Sequence, residues 1–251
     1  RFSFKPWQVT DAVVDIQAVR AGAARLASFQ PELGQADSLE IVSPFEWNDV
    51  EPEPVHVDRA DWETGPNVKE EEFTRAVSLG LFDYLRKSRS QGFVVSLSGG
   101  ADSSAVSCLV AIMTEMAWRE LGPDEFRRVL GHVAALSRAD AAEGRVRSLL
   151  HCVYQATRNS SQATRLAATN LAAAIGSEMS CIEIDDLVEG YVARVEKTLG
   201  RALSWESDDI ALQNIQARAR GPSVWLLANV KNALLLSTSN RSEAAVGYAT
   251  M

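Results

Sequence analysis

Cysteine is scarce. The 251 residues hold only Cys108, Cys152 and Cys181, with no Cys-x-x-Cys pair and no histidine at ligand spacing. This argues against a zinc knuckle and a disulfide framework, and it fits a reducing, cytoplasmic compartment. Basic blocks are missing too. Against 33 Asp and Glu stand 25 Lys and Arg, and the resulting net charge of −8 is wrong for a nucleic-acid scaffold. An anionic nucleotide stays admissible, because backbone N–H groups and a few local cations suffice to hold one. No apolar run reaches membrane length, and no secretory leader gives context to the Asn159-Ser160-Ser161 glycosylation pattern.

What is present is a globular composition, 46% hydrophobic and 23% charged, with enough chain to bury a sizeable core. The first residue is Arg1 and not Met, so a piece of a longer protein is expected. Residues 1–66 differ in texture from the rest. Val13 to Leu26 has a helical pattern, Leu39 to Val42 reads as a short strand, and Asp49 to Pro66 has acidic, proline-bearing linker composition. A domain boundary is expected near Gly65.

From Glu70 the periodicity is regular. Phe73, Val77, Leu81 and Tyr84 fall on one helical face. Phe93 to Leu97 reads as a strand buried on both sides, and a helix follows with Val106, Leu109, Val110, Met113 and Met116 on one stripe. Val129 to Leu136 and Leu149 to Tyr154 are further strand candidates. Gln162 to Ile175 reads as a helix with Ala167, Leu171, Ala174 and Ile175 inward. Cys181 to Ile184 is a strand, Asp209 to Arg220 a helix, and Ala233 to Leu236 a buried strand ending in the polar turn Ser237 to Ser242. Strands alternating with helices predict an α/β fold: a doubly wound, mostly parallel sheet with helices on both faces. Trp205 and Trp225 are expected in the core. His132 and His151 are flanked by apolar residues, with no carboxylate partner identifiable.

The chemistry concentrates in Ser96-Leu97-Ser98-Gly99-Gly100-Ala101-Asp102-Ser103-Ser104, set between a strand and a helix. Two glycines let the backbone turn sharply and approach a ligand without Cβ obstruction. The helix N-terminus offers N–H groups and a positive dipole end, and the serines add hydroxyls. The Gly-Lys-Ser/Thr ending of a Walker loop is absent. Asp102 beside phosphates makes sense when Mg²⁺ lies between them. Taken alone, the glycine pair is only a tight turn and Asp102 or Ser103 a helix cap.

Ser-Gly-Gly-x-Asp-Ser resembles the pyrophosphate-binding loop of the N-type ATP pyrophosphatases. These are PP-loop enzymes of adenine nucleotide alpha hydrolase-like fold that place AMP on a substrate oxygen. Two later segments narrow the resemblance to NAD synthetases: Gln213 to Arg220, which looks like their Asn-x-x-Ala-Arg helix, and Leu235 to Tyr248, which looks like the strand and turn after it. Tyr154 to Ser161 resembles the turn after the second strand in the glutamine-dependent branch. The likeness spans about residues 68–251 in intact order.

The resemblance implies ATP binding by Ser96, Leu97, Ser98, Gly99, Gly100, Ala101, Asp102, Ser103 and Thr238. It implies deamido-NAD binding by Asn214, Arg218 and Glu243, Mg²⁺ between Asp102 and Glu243, and an adenosine pocket along Gln155 to Ser161. No general base is named. ATP would adenylate the nicotinate carboxylate of deamido-NAD, and ammonia would displace AMP to give NAD. Residues 1–66 resemble the tail of a nitrilase-like glutaminase domain, which would draw ammonia from glutamine; the Glu–Lys–Cys set of that activity is not in this chain. The family pattern continues past Met251 with Gly-Asp and a substrate-binding lysine. A homo-oligomer is the expected assembly. The loop also admits another adenylating ligase, GMP synthetase-like, or a non-catalytic adenine-nucleotide-binding module.

Overall fold

The computed structural model describes residues 3–9, 14–26, 43–44, 59–139, 141–238 and 245. The expected strand at 39–42, most of the stretch from 49 to 66, residues 239–242 of the polar turn and Glu243 lie outside them. The chain divides into two compact units, Trp7–Pro66 and Arg1–Pro6 with Asn67–Met251. In the smaller, α1 (Ile16–Ala24) is capped by the Asp15 carboxylate, which accepts from Ala18 N–H at 2.9 Å, and α2 (Asp61–Thr64) is a single turn.

The larger unit begins with α3 (Val68–Ser88), β1 (Phe93–Ser96) and α4 (Ala101–Leu121). There follow α5 (Pro123–Val129), a 3-10 turn (Ala134–Arg138), α6 (Ala142–Leu149), β2 (Leu150–Ala156) and α7 (Gln162–Ile175). The chain continues through β3 (Glu178–Glu183), α8 (Asp185–Leu199), α9 (Asp209–Arg218), α10 (Arg220–Val230) and β4 (Leu234–Leu236). The strands pair in the order β3-β2-β1-β4, all parallel. The fold is α/β, a doubly wound sheet of the expected class. One face is covered by α3, α4, α6 and α7 around Phe82, Leu85, Val95, Val110, Met113 and Leu150; on the other, α10 lays Val224 and Ala228 on Val94 and Val153.

Several local expectations need correction. The inward residues of α3 are Ser78, Phe82 and Leu85, with Leu81 partly buried, whereas Phe73 and Tyr84 are exposed. In α7 the buried pair is Ala168 and Ala172, one residue along from the expected stripe, so Ala167 and Ala174 face out; Leu171 and Ile175 still pack on the core. Residues 129–136 are no strand. Leu130, Val133 and Leu136 recur every three residues, all buried, and their N–H groups close i→i+3 bonds from Val133 to Leu130 (2.8 Å) and Leu136 to Val133 (3.1 Å). The helix read as Asp209 to Arg220 is interrupted at Ala219 and restarts as α10, with Pro222 in its first turn, where no donor is needed. Trp205 and Trp225 are exposed.

Candidate active site

The chain runs from β1 outward through β2 to β3 and then crosses back to place β4 on the other side of β1, so the strand order reverses at β1. Ligands of open α/β sheets bind in the crevice outside the carboxyl ends at such a reversal. Here those ends carry Ser96 as the last residue of β1, Ser98 after it and Thr238 after β4, and a cleft of about 720 Å³ opens between them. That volume suits a nucleotide-sized ligand.

The floor of the cleft is the glycine loop. Gly99 has φ +82°, and a Cβ placed there would lie 2.3 Å from the Thr164 carbonyl oxygen in the first turn of α7. Only glycine satisfies both conditions. The serines hold the loop from within. Ser98 Oγ accepts from Gly100 N–H at 3.2 Å, Ser103 Oγ accepts from Ser98 N–H at 3.2 Å, and Ser104 Oγ donates to the Gly100 carbonyl at 2.7 Å.

Two helix N-termini reach the cleft, α4 through Ala101, Asp102 and Ser103, and α7 through Ser161 and Thr164. Each brings the positive end of its dipole to the cleft, an arrangement suited to an anion. Ser161 caps α7, accepting from Thr164 N–H at 3.1 Å, and Tyr154 Oη meets Thr164 Oγ1 at 3.0 Å. The turn before it is braced by Thr157 N–H donating to Ser160 Oγ (2.9 Å) and Arg158 N–H donating to Asp185 Oδ2 (2.7 Å). The Arg158 guanidinium also pairs with Glu189, which with Asp185 holds it even more firmly protonated than usual.

Of the residues named from sequence, Ser96, Ser98, Gly100, Ala101, Asp102, Ser103 and Thr238 line the cleft. Leu97 turns its side chain into the core, and Gly99 sits behind the loop against α7. Asn214 is half-buried and Arg218 exposed on α9; from this stretch the cleft's lining takes Gln216, Ala217 and Arg220. Arg220 and Gln155 lay in segments the sequence reading had marked, the Gln213–Arg220 helix and the Gln155–Ser161 adenosine turn, but neither had an individual contact assigned. Arg220 lines the cleft from the first residue of α10. Gln155 is only 5% exposed, a long amide one residue before the end of β2, where His151 is the other buried polar residue.

His151 does have a carboxylate partner, at the opposite end of the sheet. Its Nδ1 lies 3.3 Å from Glu178 Oε2 without hydrogen-bond alignment, and Nε2 meets Ser180 Oγ at 2.8 Å. Burial lowers the His151 pKa, against the opposing pull of Glu178.

A parallel sheet reversing at a Ser-Gly-Gly-x-Asp-Ser loop, with two helix dipoles on one cleft, defines an α/β protein of the adenine nucleotide alpha hydrolase type. A family model described as NAD synthase matches residues 73–251, and the chain belongs to that family. It is 31% identical over 276 residues to a glutamine-dependent NAD(+) synthetase of Oryza sativa subsp. indica, covering 100% of this chain and 37% of that protein. A Rhodobacter capsulatus protein of the same description is 34% identical, over 78% of this chain and 31% of its own. The crystal structure of a glutamine-dependent NAD(+) synthetase from Cytophaga hutchinsonii superposes with TM-score 0.68 and 49% identity, over 73% of this chain and 33% of that one. The chain thus spans about a third of the length of these curated relatives.

Proposed function

We propose that this chain is the ATP-using part of an enzyme that amidates deamido-NAD to NAD, with AMP and pyrophosphate as the other products. The observation that carries the reading is the placement of the Ser98–Ser103 loop at the sheet reversal, under two converging helix N-termini, in a chain of the NAD synthase family. The nicotinate carboxylate is a poor electrophile. Attack of its oxygen on the α-phosphorus of ATP expels pyrophosphate and leaves an acyl-adenylate; ammonia then adds to that carbonyl, AMP departs, and the amide remains. Little covalent chemistry falls to the protein, so positioning and charge neutralisation do most of the work.

The loop and the first turn of α4 are suited to the departing pyrophosphate, Arg220 offers a guanidinium to phosphate oxygens, and Thr238 closes the far wall. Asn214, Arg218 and Glu243 are assigned to deamido-NAD. Mg²⁺ fits this cleft. It usually takes one or two carboxylates plus phosphate oxygens, and Asp102 is the carboxylate lining it among the described residues. No group of three or more His, Cys, Asp or Glu that could hold a metal occurs among those residues. Asp102 and Glu243 would hold the ion, which supplies charge neutralisation for the leaving group.

Residues 1–66 are assigned to the tail of a glutaminase domain that delivers ammonia; the full-chain match to glutamine-dependent relatives supports this. A cytoplasmic setting and a homo-oligomer complete the reading. No helix among the described residues is long and apolar enough to cross a membrane. Pyrophosphate release that depends on deamido-NAD tests the proposal.

A further inference from the structure

Gln155 is joined to three groups from two other elements. Its Oε1 accepts from Ser96 Oγ at 2.8 Å, while Nε2 donates to the Arg220 carbonyl oxygen and, at 2.8 Å, to Ser223 Oγ. The amide orientation is fixed by chemistry, because a backbone carbonyl only accepts and so must face the NH₂ end. Ser96 therefore meets the carbonyl end and must donate its single hydroxyl proton there. A serine oxygen whose proton is committed can still accept, but it has nothing left to donate.

We infer that Gln155 is a positioning residue that holds the Ser96 hydroxyl as a pure acceptor toward the cleft. This rests on the ATP-binding reading above. It divides the cleft by polarity: an acceptor at Ser96 repels phosphate oxygens and fits a hydrogen-bond donor of the nucleoside, a ribose hydroxyl or the exocyclic amine. The phosphates belong at the other end, where the α4 first turn and the Ser98–Ser103 loop present donors. The second half of the amide ties the start of α10 to β2, and so sets where Arg220 leaves the helix. Gln155 shares its sheet face with Val153, so the polar bridge continues the apolar contact of Val94 and Val153 with Val224.

The test is direct titration of the intact protein with ATP, 2′-deoxy-ATP, 3′-deoxy-ATP and the triphosphate of purine riboside. The wild type is expected to bind one of these donor-deleted analogues about fivefold to tenfold more weakly than ATP, the cost of one hydrogen bond. Ser96→Ala should erase that ratio. Gln155→Met frees the hydroxyl to rotate and should shrink it, whereas Gln155→Glu keeps an acceptor for Ser96 and should retain it, with weaker binding of all four ligands through the lost α10 tether. Equal ratios in wild type and Ser96→Ala, or a ratio untouched by Gln155→Met, would overturn the inference. A purely structural glutamine would lower stability in both variants with all ratios unchanged. Failure of the wild type to bind ATP at all would instead bring down the nucleotide reading itself.

Discussion

Gly99 and Thr164 lie so close that a single added carbon on the first would stand 2.3 Å from the carbonyl oxygen of the second. The glycine loop is thereby clamped to the first turn of α7, and both helix N-termini are held on one cleft. Gly99→Ala is expected to cost about 1–3 kcal/mol from the positive φ, and more from the clash. ATP affinity should fall with it, while Gly100→Ala, whose nearest contact would be Ser98 Oγ at 3.3 Å, should be milder. Paired thermal melts and ATP titrations check this; equal effects at the two glycines would sink it.

Asp102 faces the cleft from the exposed first turn of α4. Asp102→Asn should therefore keep the melting temperature within a degree or two while the Mg²⁺ requirement for turnover rises by at least about tenfold. A normal rate at limiting Mg²⁺ would remove Asp102 from the metal.

Arg220 lines the cleft and Asn214 does not, although the sequence resemblance favours Asn214. Arg220→Ala should weaken ATP or the phosphates of deamido-NAD by roughly tenfold to a hundredfold, since hydrogen bonds to charged groups contribute about 1.5–3 kcal/mol. Asn214→Ala should raise the deamido-NAD requirement by about fivefold, with ATP binding little changed. Separate titrations of the two ligands decide it: equal losses for both ligands in Asn214→Ala mean that this residue supports the fold instead.

Burial lowers the pKa of both His151 and His132; at His151 Glu178 opposes and Lys231 adds to this, and at His132 the Arg89 charge adds to it. Their folded pKa values lie below the unfolded 6.5, so the unfolded chain binds more protons in between. Stability from these two groups is fully present above about pH 6.5 and is lost as pH falls through that value toward the folded pKa. Urea midpoints should fall on acidification across this range, and His151→Gln should flatten the slope. An unchanged slope in that variant would show that His151 is not buried neutral.

The elements most legible in the sequence were those with local signals. Phe93–Ser96 and the glycines marked the strand and loop, and α7 runs over Gln162–Ile175, both ends as read, with Ser161 capping its start and Gly176 its end in the structure. The faces were harder. In α3 two apolar stripes overlap at helical spacing, and nothing local says that Phe82 goes in while Phe73 stays out. α6 and α8 went unread, although Leu187, Val188, Tyr191, Val192, Val195 and Leu199 recur on one side of α8; only Val188 of these is buried. Within the site, the loop could be named residue by residue because its chemistry is contiguous. Gln155 with Arg220, 65 positions apart, and His151 with Glu178, aligned only by the register of β2 and β3, depend on tertiary pairing that no local window contains.

The central claim is that the cleft activates the carboxylate of deamido-NAD with ATP, and the most direct measurement is pyrophosphate release by the intact protein with each candidate acceptor. The account predicts Mg²⁺-dependent release of pyrophosphate and AMP with deamido-NAD, NAD formation with ammonium or glutamine, and only background release with xanthosine monophosphate, aspartate or citrulline. Release triggered by one of those three instead, or tight Mg²⁺-dependent ATP binding with no AMP formed under any condition, would contradict it.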